Sequence, residues 1–267
     1  MPSKQVNPFD HVEICMGTTF RFAGRSKLST LDTQTLIVQA CEILHEADRI
    51  FSLYKPDSPL SRLAKGEASV RELPPVVDEI WNECDTWQKE TDGWFNAMTP
   101  QNTFDPSGVV KTWAAKRAAE YLVQAGINDF TVNAGGDVWL AKDLTNDTDW
   151  RIAISKPVSI ASPNAGVLTV IDLKDTGFRA MATSGSAERG NHIWDPKSPG
   201  KTAPTELIQV SVVAEDLVTA DVWATAAFAE GICAVEHLNK IEGIEALFVS
   251  ASGELAATDG FAALFAK

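Results

Sequence analysis

Asp129-Phe130-Thr131-Val132-Asn133-Ala134-Gly135-Gly136-Asp137-Val138-Trp139-Leu140-Ala141 reads as two short strands, Asp129–Asn133 and Asp137–Ala141, on either side of a paired-glycine turn. Immediately before it, Val110–Ala125 is an Ala-rich segment of helical spacing closed by Gly126. After it come further strand-like runs at Trp150–Ser155, Val167–Leu173, Leu207–Val213 and Ala246–Val249. Strands and helices are therefore grouped and do not alternate regularly. That grouping predicts an α+β fold, with antiparallel strands packed against helices, and argues against a doubly wound sheet.

Working outward, His11–Gly24 alternates and is rich in β-formers, so it reads as a strand or hairpin arm. Between Leu31 and Phe51, Leu36, Ala40, Ile43, Leu44, Ala47, Ile50 and Phe51 recur at helical spacing, and the helix should open near Ser29 or Thr30. Val76–Lys89 predicts a second helix after Pro74-Pro75, with Val77, Ile80, Trp81, Cys84 and Trp87 on one face. A further helix runs from about Val218 to Glu230 and stops at Gly231, and Val235–Ile241 is a short one. No repeat or low-complexity linker interrupts the chain. The expected organisation is a flexible stretch over residues 1–10 and a single compact domain over residues 11–267.

With 267 residues, 45% hydrophobic and 22% charged, the chain has the composition of an ordinary globular protein with a substantial core. A net charge of −13 opposes encounter with nucleic acid or an anionic membrane surface. It also requires any phosphate ligand to be held by local devices: a metal, a lysine or backbone N–H groups. The four cysteines, Cys15, Cys41, Cys84 and Cys233, are scattered without a C-x-x-C pair, so neither a disulfide framework nor a zinc site is signalled. No signal-peptide core and no membrane span is evident, and a reduced, cytoplasmic protein is expected.

The most informative pair is Asp221 and Thr225, four residues apart in a run of helix formers and hence on one helix face. A carboxylate and a hydroxyl so placed can supply two oxygen ligands to Mg²⁺, which fills its octahedron with water and substrate phosphates. The plainer reading is a helix turn with Asp favouring the dipole and Thr bonded back to a carbonyl. Asp105-Pro106-Ser107-Gly108-Val109-Val110-Lys111 leads into a helix as an anion-friendly entrance or a simple cap. Gly135-Gly136 suits a tight hairpin, or lets backbone N–H groups approach a ligand. Asp92-Gly93-Trp94-Phe95-Asn96 is either core or a stacking surface for a ring. His192, among small polar residues and beside Ile193-Trp194-Asp195-Pro196, is a surface turn residue or a general base.

Taken in order, these segments resemble the FAD:protein FMN transferase (ApbE) family. The resemblance runs from Cys15-Met16-Gly17-Thr18 to the chain end. Phe51-Ser52-Leu53-Tyr54 with Ser58-Pro59-Leu60-Ser61-Arg62-Leu63 is similar to the family's F-S-x-Y…S-x-L-S-R-L segment. Asp92–Asn96 resembles T-D-G-x-F-D, Asp105–Lys111 resembles D-x-G-x-I-A-K-G, and Asn133–Asp137 resembles N-x-G-G-D. Thr183-Ser184-Gly185, His192–Pro196 and Asp221 with Thr225 complete the series. Departures are Asn96 for the usual Asp, Thr112 for Gly, Lys116 where Asp is common, and a longer turn over Pro196–Gly200.

The resemblance implies a T-fold-like architecture and a Mg²⁺-dependent enzyme with FAD as substrate. FMN would pass to a Thr or Ser hydroxyl of an acceptor flavoprotein, with release of AMP. It implies a metal held by Asp221, Thr225 and the main-chain carbonyl of Val110. Met16, Tyr54, Trp94, Phe95, Asn96, Asp105, Lys111, Gly135, Gly136, Asp137, Ser184, Gly185 and Ile193 would contact FAD. His192 would take the proton from the acceptor hydroxyl, alongside Asp221 as the second catalytic residue. Many family members are exported lipoproteins; without such a leader this chain is expected in the cytosol. Two other readings remain open: an FAD pyrophosphatase giving FMN and AMP, and an FAD-binding carrier without turnover.

Overall fold

A computed structural model describes residues 6–141, 150–157, 166–186, 193–198 and 206–266. Its residues cluster into two compact units, one of Met1–Cys84 with Thr103–Thr148 and one of Asp85–Asn102 with Asp149–Lys267.

In the first unit, β1 (Asn7–Cys15) and β2 (Thr18–Ser26) form a hairpin closed by Met16-Gly17, with Cys15 paired to Thr18. The strand expected from His11 thus begins at Asn7, and His11–Gly24 resolves into parts of two strands. α1 (Thr30–Phe51) is capped by Ser29, whose hydroxyl accepts the Asp32 N–H, and it buries Ile37, Ala40, Cys41, Leu44 and Ala47. Its core face is turned slightly from the expected one, with Ile37 buried where Leu36 is only half-buried. α2 (Pro59–Ala64) is a short helix that apolar periodicity did not reveal; Ser58 caps it, its hydroxyl accepting from Ser61 N at 3.0 Å. α3 (Pro75–Glu90) opens at Pro75 as expected, and its turns from Asp85 onward cluster with the second unit.

α4 (Ser107–Gln124) packs on α1 and on β3 (Asp129–Ala134), which pairs antiparallel with both β2 and β4 (Asp137–Leu140). The fully buried Phe20, Phe22, Phe130, Leu44, Ile80 and Leu122 form the core between these strands and helices. α4 starts at Ser107, three residues ahead of Val110, because Asp105 Oδ1 accepts the Ser107 N–H at 3.0 Å and fixes the first turn.

In the second unit, β5 (Arg151–Ser155) and β6 (Val167–Asp172) form a separate antiparallel pair. β7 (Ala180–Gly185), β8 (Leu207–Ala214), β9 (Ile244–Ser250) and β10 (Leu255–Ala257) are joined antiparallel in that order. The sequence reading placed no strand at β7. Its residues, Ala-Met-Ala-Thr-Ser-Gly, lack the bulky β-formers that mark strands, and full pairing with β8 overrides that weak propensity. α5 (Leu217–Glu230) packs on β7 and β8, and α6 (Ala234–Leu238) packs on α5 and β9. Asp216 caps α5, its carboxylate accepting from Val218 N at 3.0 Å and Thr219 N at 3.1 Å. The strand pairings named above are all antiparallel, so the α+β expectation holds. Among the described residues, no helix is long and apolar enough to cross a membrane.

Candidate functional site

α5 buries Leu217, Val218, Val222, Trp223 and Phe228 together with its alanines, so it is apolar nearly all round. Asp221 is the exception, a carboxylate only 4% exposed. Thr225 lies one turn on, half-buried, and its hydroxyl is 3.1 Å from that of Ser184 on β7. Gly185 follows Ser184 at the end of β7, pairing with Gln209. An added Cβ at Gly185 would stand 2.5 Å from the Ile208 carbonyl oxygen, so the strand admits no side chain there. The next rung is polar as well, with Thr183 Oγ1 2.8 Å from Ser211 Oγ. Asp221, Thr225, Ser184 and Gly185 are thus gathered by one helix packed on one strand.

The segment after α3 divides the two readings of its aromatic run between two residues. Phe95 is buried at 4% exposure and belongs to the core. Its N–H donates to Thr91 Oγ1 at 3.0 Å, and that hydroxyl donates to the Trp87 carbonyl at 2.7 Å. Trp94 is half-buried, and Lys197 Nζ sits 4.3 Å from its ring centroid while pairing with Asp92 at 2.8 Å. The Lys197 hydrogen bond and charge hold the Asp92 carboxyl below the usual carboxylate range. Asn96, standing where the family has Asp, accepts the Met98 N–H through Oδ1 at 2.8 Å. Ile193 is half-buried. His192 lies outside the described residues.

In the first unit, Gly135 and Gly136 have φ of +65° and +104° between the paired residues Ala134 and Asp137, a two-residue hairpin turn that glycine adopts without strain. Both N–H groups are already engaged: Gly135 donates to the Thr19 carbonyl at 2.9 Å and Gly136 to Asn133 Oδ1 at 2.9 Å. The hairpin reading describes this turn, and its contribution to a ligand would be room, not donors. Thr18 fills part of that room: a Cβ on Gly135 would meet Thr18 Oγ1 at 2.4 Å.

Asp137 is 2% exposed and forms an ion pair with Lys111 on α4. Two residues considered separately from sequence are therefore one charge-balanced unit. Ser107 and Gly108 lie inside α4, not ahead of it, and Lys111 falls in its second turn. Val110, the residue before Lys111, is buried, and a helical carbonyl that accepts one ladder bond keeps a second lone pair. Thr112, in place of the family's Gly, is completely buried and donates to the Val109 carbonyl at 3.3 Å. Met16 sits in the β1–β2 turn with φ of 52°, and Tyr54 is 98% exposed.

The pairing of Trp94 with Lys197 escaped sequence reading, since Lys197 bonds a residue 105 positions away. The longer turn over Pro196–Gly200 was the one signal that pointed near it. Asp195 accepts the N–H groups of Lys197 and Ser198 there at 2.9 and 3.1 Å, setting the lysine's direction.

Comparison with known proteins follows the same residues. A sequence model described as the ApbE family matches residues 98–248. The chain is 29% identical to an FAD:protein FMN transferase of Klebsiella pneumoniae over 167 residues, 58% of this chain and 48% of that one. It is 26% identical to one of Vibrio cholerae serotype O1 over 268 residues, 79% of this chain and 78% of that one. A third, of Salmonella typhimurium, is 28% identical over 163 residues, covering 58% and 45%. The matched region thus spans about half the length of the Klebsiella and Salmonella relatives. Among solved structures, Flavin Transferase ApbE from Vibrio cholerae superimposes with a TM-score of 0.81 at 20% identity, covering 97% of this chain and all 100% of that one. An ApbE protein from Thermotoga maritima gives 0.79 at 20% identity, covering 98% and 100%. At that identity the structures speak for the fold alone; the family model, which matches more than half of the chain, settles the affiliation. This chain belongs to the ApbE family.

Proposed function

We propose that the chain is a Mg²⁺-dependent FAD:protein FMN transferase. It cleaves the FAD pyrophosphate, joins FMN through a phosphoester to a Thr or Ser hydroxyl of an acceptor flavoprotein, and releases AMP. The curated relatives bear the name FAD:protein FMN transferase, which supports the reaction class. The single observation that carries the chemistry is Asp221, a carboxylate buried in an apolar helix one turn from a Thr225 hydroxyl that is itself hydrogen-bonded to Ser184.

That donor set fits Mg²⁺, because every side-chain donor is a hard oxygen and one is an anion. Asp221 and Thr225 would hold the ion, with the Val110 carbonyl as the main-chain ligand that the resemblance implies. When bound, Mg²⁺ would supply Lewis-acid stabilisation of pyrophosphate charge. The Ser184 hydroxyl, 3.1 Å away, would help to position the Thr225 hydroxyl. Trp94 offers a ring surface for a flavin or adenine once Lys197 moves from above it. Lys111, held by Asp137, offers an ammonium donor fixed in place. His192 is the base proposed to take the acceptor hydroxyl proton.

The test is the intact mass of an FMN-acceptor domain after incubation with this protein, FAD and Mg²⁺, with AMP measured in the same tube. The proposal expects a gain of one FMN with matching AMP, both lost in EDTA. AMP without an adduct would replace transfer by FAD hydrolysis, with water as acceptor. Stoichiometric FAD binding without either product would leave a carrier.

A further inference from the structure

Residues two apart on a strand share a face, and residues four apart on a helix do so as well. β1 carries His11, Glu13 and Cys15 at alternate positions, all less exposed than the intervening Val12 and Ile14. α1 packs against β1 and presents Cys41 and His45 one turn apart. His11 Nε2 lies 3.4 Å from Glu13 Oε2, and His45 Nε2 lies 3.1 Å from Glu13 Oε1. The Cys15 thiol is 3.5 Å from His45 Nδ1. Potential ligand atoms of His11, Glu13 and Cys41 all lie within 4.8 Å of one another. Two of the chain's four histidines and two of its four cysteines meet here.

The chain Cys15–His45–Glu13 has the order of a nucleophile, base and orienting carboxylate. It does not have the environment of one. Cys15 is 4% exposed, and burial, aided by the Asp48 charge, pushes its thiol up to about 11. A nucleophilic cysteine needs the opposite shift and an open approach.

A cation site needs what is present. Cys41, 3% exposed, floors the cluster, while the side chains of His11 and Glu13 remain 32% and 27% exposed and leave an approach from solvent. The donors are one nitrogen, one carboxylate oxygen and one sulfur. Mg²⁺ and Ca²⁺ favour oxygen alone, whereas a mixed set of this kind suits a borderline ion. We propose that His11, Glu13 and Cys41 form a binding site for a divalent cation of the zinc class, with His45 as the residue that positions the Glu13 carboxylate. Tetrahedral bond lengths of about 2.0–2.3 Å would draw the donors closer together than the 4.8 Å within which they lie. The Cys41 thiol gives its proton to solvent as the sulfur–metal bond forms, and no electron is exchanged. Three protein ligands leave a fourth position for water. The bound ion ties β1 to α1.

The experiment uses the full chain, stripped by chelator and then titrated with Zn²⁺ by calorimetry in the presence of excess Mg²⁺. One equivalent should bind. Cys41→Ser should weaken it by at least ~100-fold, as loss of a direct ligand, and His45→Ala by roughly 10–100-fold, as loss of an orienting partner. Asp221→Ala should leave it unchanged, which separates this site from the proposed flavin chemistry. Co²⁺ loading should produce a thiolate-to-cobalt charge-transfer band in the unaltered protein and not in Cys41→Ser. His11→Gln provides a second ligand variant should Cys41→Ser fail to fold. Absence of Zn²⁺ binding, or equal binding by the unaltered protein and the ligand variants, overturns the proposal.

Discussion

The two units offer their candidate residues in different currencies of structure. The first works through backbone and fixed shape: a glycine turn whose N–H groups are already engaged, and a lysine locked to a buried carboxylate. The second works through side-chain oxygens on an otherwise apolar helix and strand: Asp221, Thr225 and Ser184. Damage should therefore differ. Adding an atom breaks the first, and removing one breaks the second.

The largest effect is expected at Asp221. Asp221→Ala removes the only charged donor of its group, and Lewis-acid stabilisation worth several kcal/mol predicts a loss of roughly 10³-fold in Mg²⁺-dependent turnover. The fold should persist, because alanine suits an apolar helix packed on β7 and β8. Initial rates across a Mg²⁺ titration, paired with a thermal melt, make the check. Undiminished turnover at limiting Mg²⁺ would remove Asp221 from the proposed metal site.

The first unit should respond in stability. Gly135→Ala combines a left-handed backbone with a Cβ placed 2.4 Å from Thr18 Oγ1, and should cost about 2 kcal/mol. Gly136→Ala meets nothing within 4 Å and should cost about 1 kcal/mol, from backbone strain alone. Chemical denaturation of both variants, repeated on a Thr18→Ala background, separates the parts: that background should relieve Gly135→Ala and leave Gly136→Ala unmoved. Equal costs in both backgrounds would show that Thr18 does not limit the turn.

What the sequence disclosed follows the same division. Asp221 and Thr225 were legible because one helix places them, and helical spacing is a local rule. The long helices were legible from apolar spacing, with Ser29, Pro75 and Gly231 marking their ends. The glycine pair announced a turn, but not that the Thr19 carbonyl would take the Gly135 N–H, which depends on β2 and β3 lying side by side. β7 was hidden because small residues become a strand only when β8 pairs with them. The Lys111–Asp137 and Lys197–Trp94 contacts, and the cluster of His11, Glu13 and Cys41, need separate elements to meet. No spacing within one segment encodes that meeting.

The smallest expected effect sharpens the comparison at the one candidate in the second unit that is covered by a charge. Lys197 bridges Asp92 and the Trp94 ring at the surface. Hydrogen bonding and charge from Lys197 lower the Asp92 carboxyl, with a minor contribution from His237 and slight opposition from burial. A lowered folded value means that the pair's stabilisation is complete above the ordinary carboxylate value and fades as the pH falls through the folded one. The bridge should consequently survive mild acidification and open only below the usual carboxylate range. Carboxyl NMR of Asp92 should show a depressed midpoint in the unaltered chain and a return to the ordinary range in Lys197→Met. Because both partners are exposed, the melting temperature near neutral pH should scarcely change. An identical midpoint in both proteins would show that Lys197 is not held at Asp92, and would leave Trp94 uncovered for stacking without any displacement.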